Sequence, residues 1–277
     1  MSWWIITEPL SIERLTIAIS GLPPSLVGTK LVQLSDLHYD GLRLSEDLLA
    51  EAIAASNQEN PDLVLLTGDY VTDDPTPIFK LAEKLKSLKS RAGIYACLGN
   101  HDIGYQHSRK TVIQALTDVG IHVLWNAIAT PLGEQFPIVG LADYWSREFS
   151  TTAVMERLDP EVPRLVLSHN PDTAALLQRW RVDLQLSGHT HGGQVVIPGY
   201  GPAPILLEKL RHNAPKPLQP FIPFLKECSR VVKHWQWAQG WHQIGRNQLY
   251  VNRGLGTYFP GRFFCPPEVT VITLSNF

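Results

Sequence analysis

Cysteine is scarce in this chain. Cys97, Cys228 and Cys265 are odd in number, widely spaced and without a Cys-x-x-Cys pair. That excludes a disulfide framework and a thiolate zinc knuckle, and a reducing, cytoplasmic compartment is expected. Long apolar runs are missing as well. Glu8, Glu13 and Arg14 interrupt the N-terminal segment, which also lacks a basic leader. It therefore reads as mature protein rather than signal peptide or membrane span. Trp3 and Trp4 read as part of an edge strand packed on the body, in preference to an anchor at a membrane interface. There is no surplus of positive charge: 24 Lys plus Arg stand against 26 Asp plus Glu, a net charge of -2. Nonspecific nucleic-acid binding rests on such a surplus, so a nucleic-acid partner is not expected. Internal repeats and low-complexity tracts are absent too.

What is present is a soluble globular composition, 277 residues with 44% hydrophobic and 18% charged. One domain over residues 1–277 is expected. A chain of this length buries about 75% of its unfolded surface, so no metal is needed to hold it together and any metal site must serve function. From Thr29 onward, short apolar runs alternate with segments of helical period, the pattern of an α/β fold. Strands are expected at 31–35, 62–68, 93–99, 137–142, 164–168, 182–188, 249–254 and 269–274, most of them apolar on both faces and hence buried in a sheet. Helices are expected from Ser45, which can cap one running to about Ser56, and near 78–90, 108–118 and 171–180, the last opened by Asn170-Pro171. Residues 198–246, rich in Pro, Trp and cations, read as an insert.

The placement of Asp, Asn and His carries the chemistry. Asp36 and His38 end the first strand, Asp69 the second, and Asn100, His101 and Asp102 the third; His169 ends a later strand, and His189 and His191 follow another. In an α/β sheet the carboxyl ends of strands face a common crevice, so these groups should converge. In extended backbone, residues two apart point the same way, which would send Asp36 with His38, and His189 with His191, into one cavity. Carboxylate, imidazole and amide donors without thiolate suit Mn, Fe, Zn or Ni. Seven candidate ligands, Asp36, His38, Asp69, Asn100, His169, His189 and His191, exceed the need of one ion. Two ions sharing Asp69 would use them all.

The ordered motifs SDLH (35–38), GD (68–69), GNHD (99–102), SHNP (168–171) and GHTHGGQ (188–194) resemble the calcineurin-like metallophosphoesterases. GHTHGGQ with NRGLGTYFPGRFFCPPE near the C-terminus is similar to a branch of predicted membrane-associated phosphohydrolases and UDP-diacylglucosamine pyrophosphatases. The resemblance implies a four-layer α/β/β/α sandwich, dividing the strands between two sheets. It implies one divalent ion on Asp36, His38, Asp69 and His191, a second on Asp69, Asn100, His169 and His189, and a His101 free of metal.

The expected activity is hydrolysis of a phosphodiester or pyrophosphate by a hydroxide bridging the two ions, since metal lowers the pKa of water from 15.7 towards about 7. His101 would bond the phosphoryl group or protonate the leaving oxygen, with Asp102 orienting its ring. Arg253 and Arg262 are candidates to fork onto a phosphate. Within the insert, Lys209, Arg211, Lys216, Lys226, Arg230 and Lys233 surround the apolar run 218–225, which suits a lipid-linked substrate or peripheral membrane contact. Two alternatives remain. A cyclic-nucleotide or nucleic-acid phosphodiesterase would draw its stacking platforms from Tyr39, Tyr70, Trp145 or the insert, and a non-enzymatic scaffold would bind metal without turnover.

Overall fold

Strands that are apolar at every position need cover on both faces, and this chain supplies it with two stacked sheets. The computed structural model describes residues 7–105, 107–213, 215 and 231–277. Trp3, Trp4, Cys228, Lys216, Lys226, Arg230 and the run 218–225 lie outside the described residues, as does the side chain of Arg211.

The first sheet has six strands in the order β1 (Ser11–Ala18), β14 (Glu268–Ser275), β2 (Lys30–Leu34), β3 (Leu63–Leu66), β4 (Ile94–Ala96) and β5 (His122–Val123). β2 to β5 run parallel, β14 is antiparallel to β2, and β1 is parallel to β14. The second sheet has the order β12 (Gly240–Ile244), β13 (Asn247–Val251), β9 (Leu184–Ser187), β8 (Leu165–Leu167), β7 (Ile138–Gly140) and β6 (Ala127–Ala129). Its central strands β13, β9, β8 and β7 are parallel, and its edges β12 and β6 antiparallel.

The period of two sorts the side chains into layers. Leu63 and Leu65 of β3 meet Leu165, Leu167, Leu184 and Leu186 in the core between the sheets. Val64 and Leu66 face the other way, onto helices α1 (Glu46–Gln58), α2 (Ile78–Leu85) and α4 (Ser108–Asp118). On the far side, Val139 and Val166 pack against α5 (Thr152–Met155) and α6 (Thr173–Leu177). The architecture is α/β, with helices outside and sheets inside. The strands that the hydrophobic pattern reads as one sheet fall into two, because apolar runs do not encode which strand pairs with which.

Local signals account for several boundaries. The Ser45 hydroxyl accepts from the Leu48 amide at 3.1 Å and opens α1. The second and fourth expected helices are shorter than their periodicity suggests, ending at Leu85 and spanning only Thr173–Leu177. The end of the insert belongs to the second sheet as its edge strand β12, while its start forms the hairpin β10 (Val196–Ile197) and β11 (Gly201–Pro202), then α7 (Ala203–Asn213).

Truncation separates core from surface. Leu65→Ala removes a side chain with 0% exposure between the sheets, and should lower stability by about 2–5 kcal/mol in urea unfolding. Leu42→Ala, at a position 60% exposed, should change it by less than about 0.5 kcal/mol. Equal effects would contradict the inter-sheet core.

Candidate metal centre

Strands from both sheets end at one place. Asp36 follows β2, Asp69 follows β3, Asn100 opens the single turn α3 (Asn100–Ile103) after β4, His169 follows β8, and His189 and His191 follow β9. The chain does not stay extended there. Asp36, His38, Asp69, His189 and His191 all adopt left-handed backbone, with φ of 50°, 43°, 55°, 73° and 51°. This corrects the expectation that extended geometry aims the donors. Such conformations cost on the order of 1–3 kcal/mol each, so the surroundings must impose them. Backbone bonds do so: the Asp36 amide donates to Gly68 O and the His38 amide to Asp69 O, both at 2.9 Å. Close approach is also required. A Cβ on Gly99 would lie 2.2 Å from Asp69 Oδ1, and one on Gly188 would lie 2.1 Å from Asp36 Oδ2.

Three overlapping donor groups result; one joins His38 and Asp69 to the half-buried His101, and the other two are buried throughout. Asp36, His38 and His191 offer atoms within 4.8 Å of one another, and so do Asp69, His169 and His189. Asp69 stands between them, with Oδ2 3.1 Å from His169 Nε2 and 3.5 Å from His38 Nε2. The imidazoles confront each other: His38 Nε2 is 3.2 Å from His191 Nε2, and His189 Nδ1 is 3.1 Å from His169 Nε2. In three of the four rings the other nitrogen already meets a backbone carbonyl. His169 Nδ1 reaches Thr67 O at 2.7 Å, His191 Nδ1 reaches Gly256 O at 3.0 Å, and His189 Nε2 reaches Val231 O at 2.9 Å. Each such ring directs an N–H outward and turns its second nitrogen inward, where a lone pair is free once that nitrogen carries no proton.

Electrostatics points the same way. Burial lowers the pKa of His38 well below the usual range and brings His189 and His191 to about 4, so these rings are neutral donors. Burial works against ionisation of Asp69 and His169 alike. Their mutual attraction overcomes it, holding the Asp69 carboxyl low and the His169 ring high. A proton on His169 thus occupies a place that a cation would contest, and metal binding here would release it.

Other expected site residues sit differently. His101 Nδ1 donates to Thr72 O at 2.9 Å, so the Thr72 carbonyl orients the ring and Asp102 does not. The Asp102 carboxylate instead accepts from the amides of Asp69, Tyr70 and Gly99, each at 2.8 Å, and braces the loops. Arg262, 0% exposed, donates to the carbonyls of Arg253, Gly254 and Gly256. Arg253 pairs with Glu13 at 2.6 Å and Glu268 at 3.0 Å. Both guanidinium groups are committed to structure, which corrects their assignment to substrate. Tyr39 and Tyr70 are buried and cannot stack on a base, whereas Trp145 is half exposed. The centre opens into a cavity of about 450 Å³ whose lining includes Asp69, Asn100, His101, His189 and His191 with Trp145, Val231, Trp235 and Tyr258.

Sequence reasoning missed Asp143. It is buried three residues beyond β7, and its Oδ2 finds no hydrogen-bond partner among the described residues. Its signal was present, since PIVGLAD ends an apolar run in an acid as LVQLSD does. It also missed the polar layer beneath the site. There Gln33 Nε2 donates to Thr67 Oγ1 and Ser187 O at 2.9 Å, and Thr67 Oγ1 donates to Ser35 Oγ at 2.7 Å.

The residues fit divalent ions. Asn100 Oδ1 is buried without a partner among the described residues, and opposed imidazole lone pairs repel unless a cation or proton lies between them.

Comparison with known proteins agrees. The sequence pattern of the calcineurin-like phosphoesterases matches residues 29–193. Phosphodiesterase YaeI of Escherichia coli is 34% identical over 250 residues, covering 88% of this chain and 82% of its own. UDP-2,3-diacylglucosamine pyrophosphatase LpxG of Chlamydia muridarum is 28% identical over 295 residues, covering 89% and 84%. The crystal structure of TT1561 from Thermus thermophilus, 10% identical, superimposes with a TM-score of 0.50 over 82% of this chain and 90% of that one, a likeness of fold. The chain therefore belongs to the calcineurin-like phosphoesterases, a family of hydrolases that use divalent metals.

Proposed function

We propose that this protein hydrolyses phosphodiester or pyrophosphate bonds with two divalent ions, one held by Asp36, His38, Asp69 and His191 and the other by Asp69, Asn100, His169 and His189. The observation that carries this reading is the pair of imidazole confrontations at 3.1 and 3.2 Å flanking the Asp69 carboxylate. When bound, the ions supply Lewis acidity towards the phosphoryl oxygens and lower the pKa of water towards about 7.

The chain's own residues supply the rest. His101 keeps Nδ1–H on Thr72 O, which leaves Nε2 beside the cavity. A proton held at Nε2 is placed to pass to the leaving oxygen, a role worth about 10² to 10⁴ in rate. Asn100 lends its amide oxygen, and its backbone opens the turn that carries His101. Trp145, Val231 and Trp235 form an apolar wall beside the donors that excludes water and receives an apolar substituent of the substrate.

That wall supports a lipid-linked nucleotide as the substrate class, as does the likeness to a UDP-2,3-diacylglucosamine pyrophosphatase. Peripheral contact with a lipid surface fits the exposed Tyr200, Phe259 and Phe264, which lie in the segments that bring Pro204 and Tyr258 to the cavity. No helix among the described residues is long and apolar enough to cross a membrane.

Purified protein supplied with Mn(II) should hydrolyse bis-para-nitrophenyl phosphate, and Asp69→Asn should abolish turnover and reduce bound metal. Absence of both turnover and metal in the parent protein would sink the reading. His101→Ala should retain the full metal content yet lose about 10² to 10⁴ in kcat; loss of metal would contradict its role. Chelation should lower Tm, because ions at about 1,000 times their Kd stabilise the folded state by roughly 4.1 kcal/mol. An unchanged Tm after verified metal removal would count against tight resident ions.

A further inference from the structure

The C-terminal sequence NRGLGTYFPGR has no task in the chemistry so far, yet it lies directly against the first donor group. Its backbone is zipped to the segment carrying Asp36 and His38: Leu255 N donates to Ser35 O at 3.1 Å, Gly256 N to Asp36 O at 2.7 Å, and Thr257 N to Arg43 O at 2.9 Å. The fit leaves no room for side chains. A Cβ on Gly254 would come within 2.6 Å of Asp36 Cβ, and one on Gly256 within 3.0 Å of His38 Cβ.

From that position the loop holds two of the three donors. Gly256 O accepts from His191 Nδ1 at 3.0 Å and is itself fixed by Arg262 Nη2 at 2.7 Å. The Tyr258 hydroxyl lies 3.1 Å from His38 Nδ1. His169, His189 and His191 send their outer nitrogens to backbone carbonyls, whereas His38 depends on side-chain hydroxyls, Tyr258 and, at 3.4 Å, Thr72 Oγ1. Both side chains are tethered in turn, Thr72 by its hydroxyl and Tyr258 by its ring. Thr72 Oγ1 donates to Asp40 Oδ2 at 3.0 Å, Asp40 pairs with Arg43, and the Arg43 guanidinium covers the Tyr258 ring at 4.4 Å. His38, Tyr258, Arg43, Asp40 and Thr72 close into a ring of contacts around one ligand.

We propose that the loop 252–265 sets the affinity of the ion held by Asp36, His38 and His191, and that Tyr258 is the positioning residue through which it acts. This rests on the two-metal reading above. Among the described residues the loop's hydrogen bonds reach His38, His191 and the Asp36 backbone and none reaches Asn100, His169 or His189, so its effect is selective. Arg262, which the sequence suggests for phosphate, is the clamp that keeps the loop in register.

Calorimetric titration of the metal-free full chain with Mn(II) tests this, with His189→Ala used to assign the two binding steps. Tyr258→Phe removes one hydroxyl and should weaken the first ion about 10- to 100-fold while leaving the second within about twofold. Thr72→Val should weaken the same ion, and Thr72→Ser, which keeps the hydroxyl, should restore it; a purely structural role would not make that distinction. Equal weakening of both ions, or no change in either, in variants with parental circular dichroism overturns the proposal. If the parent protein itself holds fewer than two ions, the two-metal reading fails and this proposal falls with it. Two ions in the parent and an unchanged Tyr258→Phe would refute the loop's role alone.

Discussion

Imidazole nitrogens that have already given their protons outward cannot rest face to face at hydrogen-bond distance without something positive between them. The centre is built on that constraint. Carbonyls of Thr67, Gly256 and Val231 take the outer protons of His169, His191 and His189. The inward lone pairs are thereby fixed, and Asp69 adds a buried negative charge where the two donor groups meet. The arrangement is costly unless a proton or a cation lies between the opposed rings, and a donor set fixed in advance in this way is preorganised for a cation.

Holding it requires a rigid surround. Five donors sit in left-handed backbone, and glycines at 99 and 188 admit the carboxylates of Asp69 and Asp36 closer than any Cβ would allow. Asp102 collects amides of Asp69, Tyr70 and Gly99 on one carboxylate, and the layer of Gln33, Thr67, Ser35 and Ser187 satisfies polar groups buried between the sheets. These bonds favour one arrangement, because displacing a member leaves further buried groups unpaired, although Gln33 Oε1 itself has no partner among the described residues. The apolar core on either side of the sheets provides the stability against which this local cost is set.

The C-terminal loop shows how chain regions distant in sequence share a task. Arg262 carries the appearance of a phosphate ligand, an arginine among glycines, yet among the described residues its hydrogen bonds all go to carbonyls of its own loop, Thr257 Oγ1 and the Cys265 thiol. Composition alone does not distinguish an arginine that recognises a ligand from one that fastens backbone, since both need the same fork of donors.

What the amino-acid order determined by itself was chemical and local. Apolar runs ending in Asp, Asn or His marked the strand ends and the candidate donors, Ser45 marked a helix start, and the shortage of thiols restricted the donor set to oxygen and imidazole. Asp143 was equally legible and overlooked. Pairing, direction and division of labour were decided by the tertiary structure: which strands share a sheet, that His189 and His191 join different donor groups, that Thr72 rather than Asp102 orients His101, and that Arg253 and Arg262 brace rather than bind. The reason is physical. Residue type and period report what a side chain can do and which face it prefers, but partners hundreds of residues apart meet only after the sheets stack, and that meeting chooses among the bonds each side chain could make.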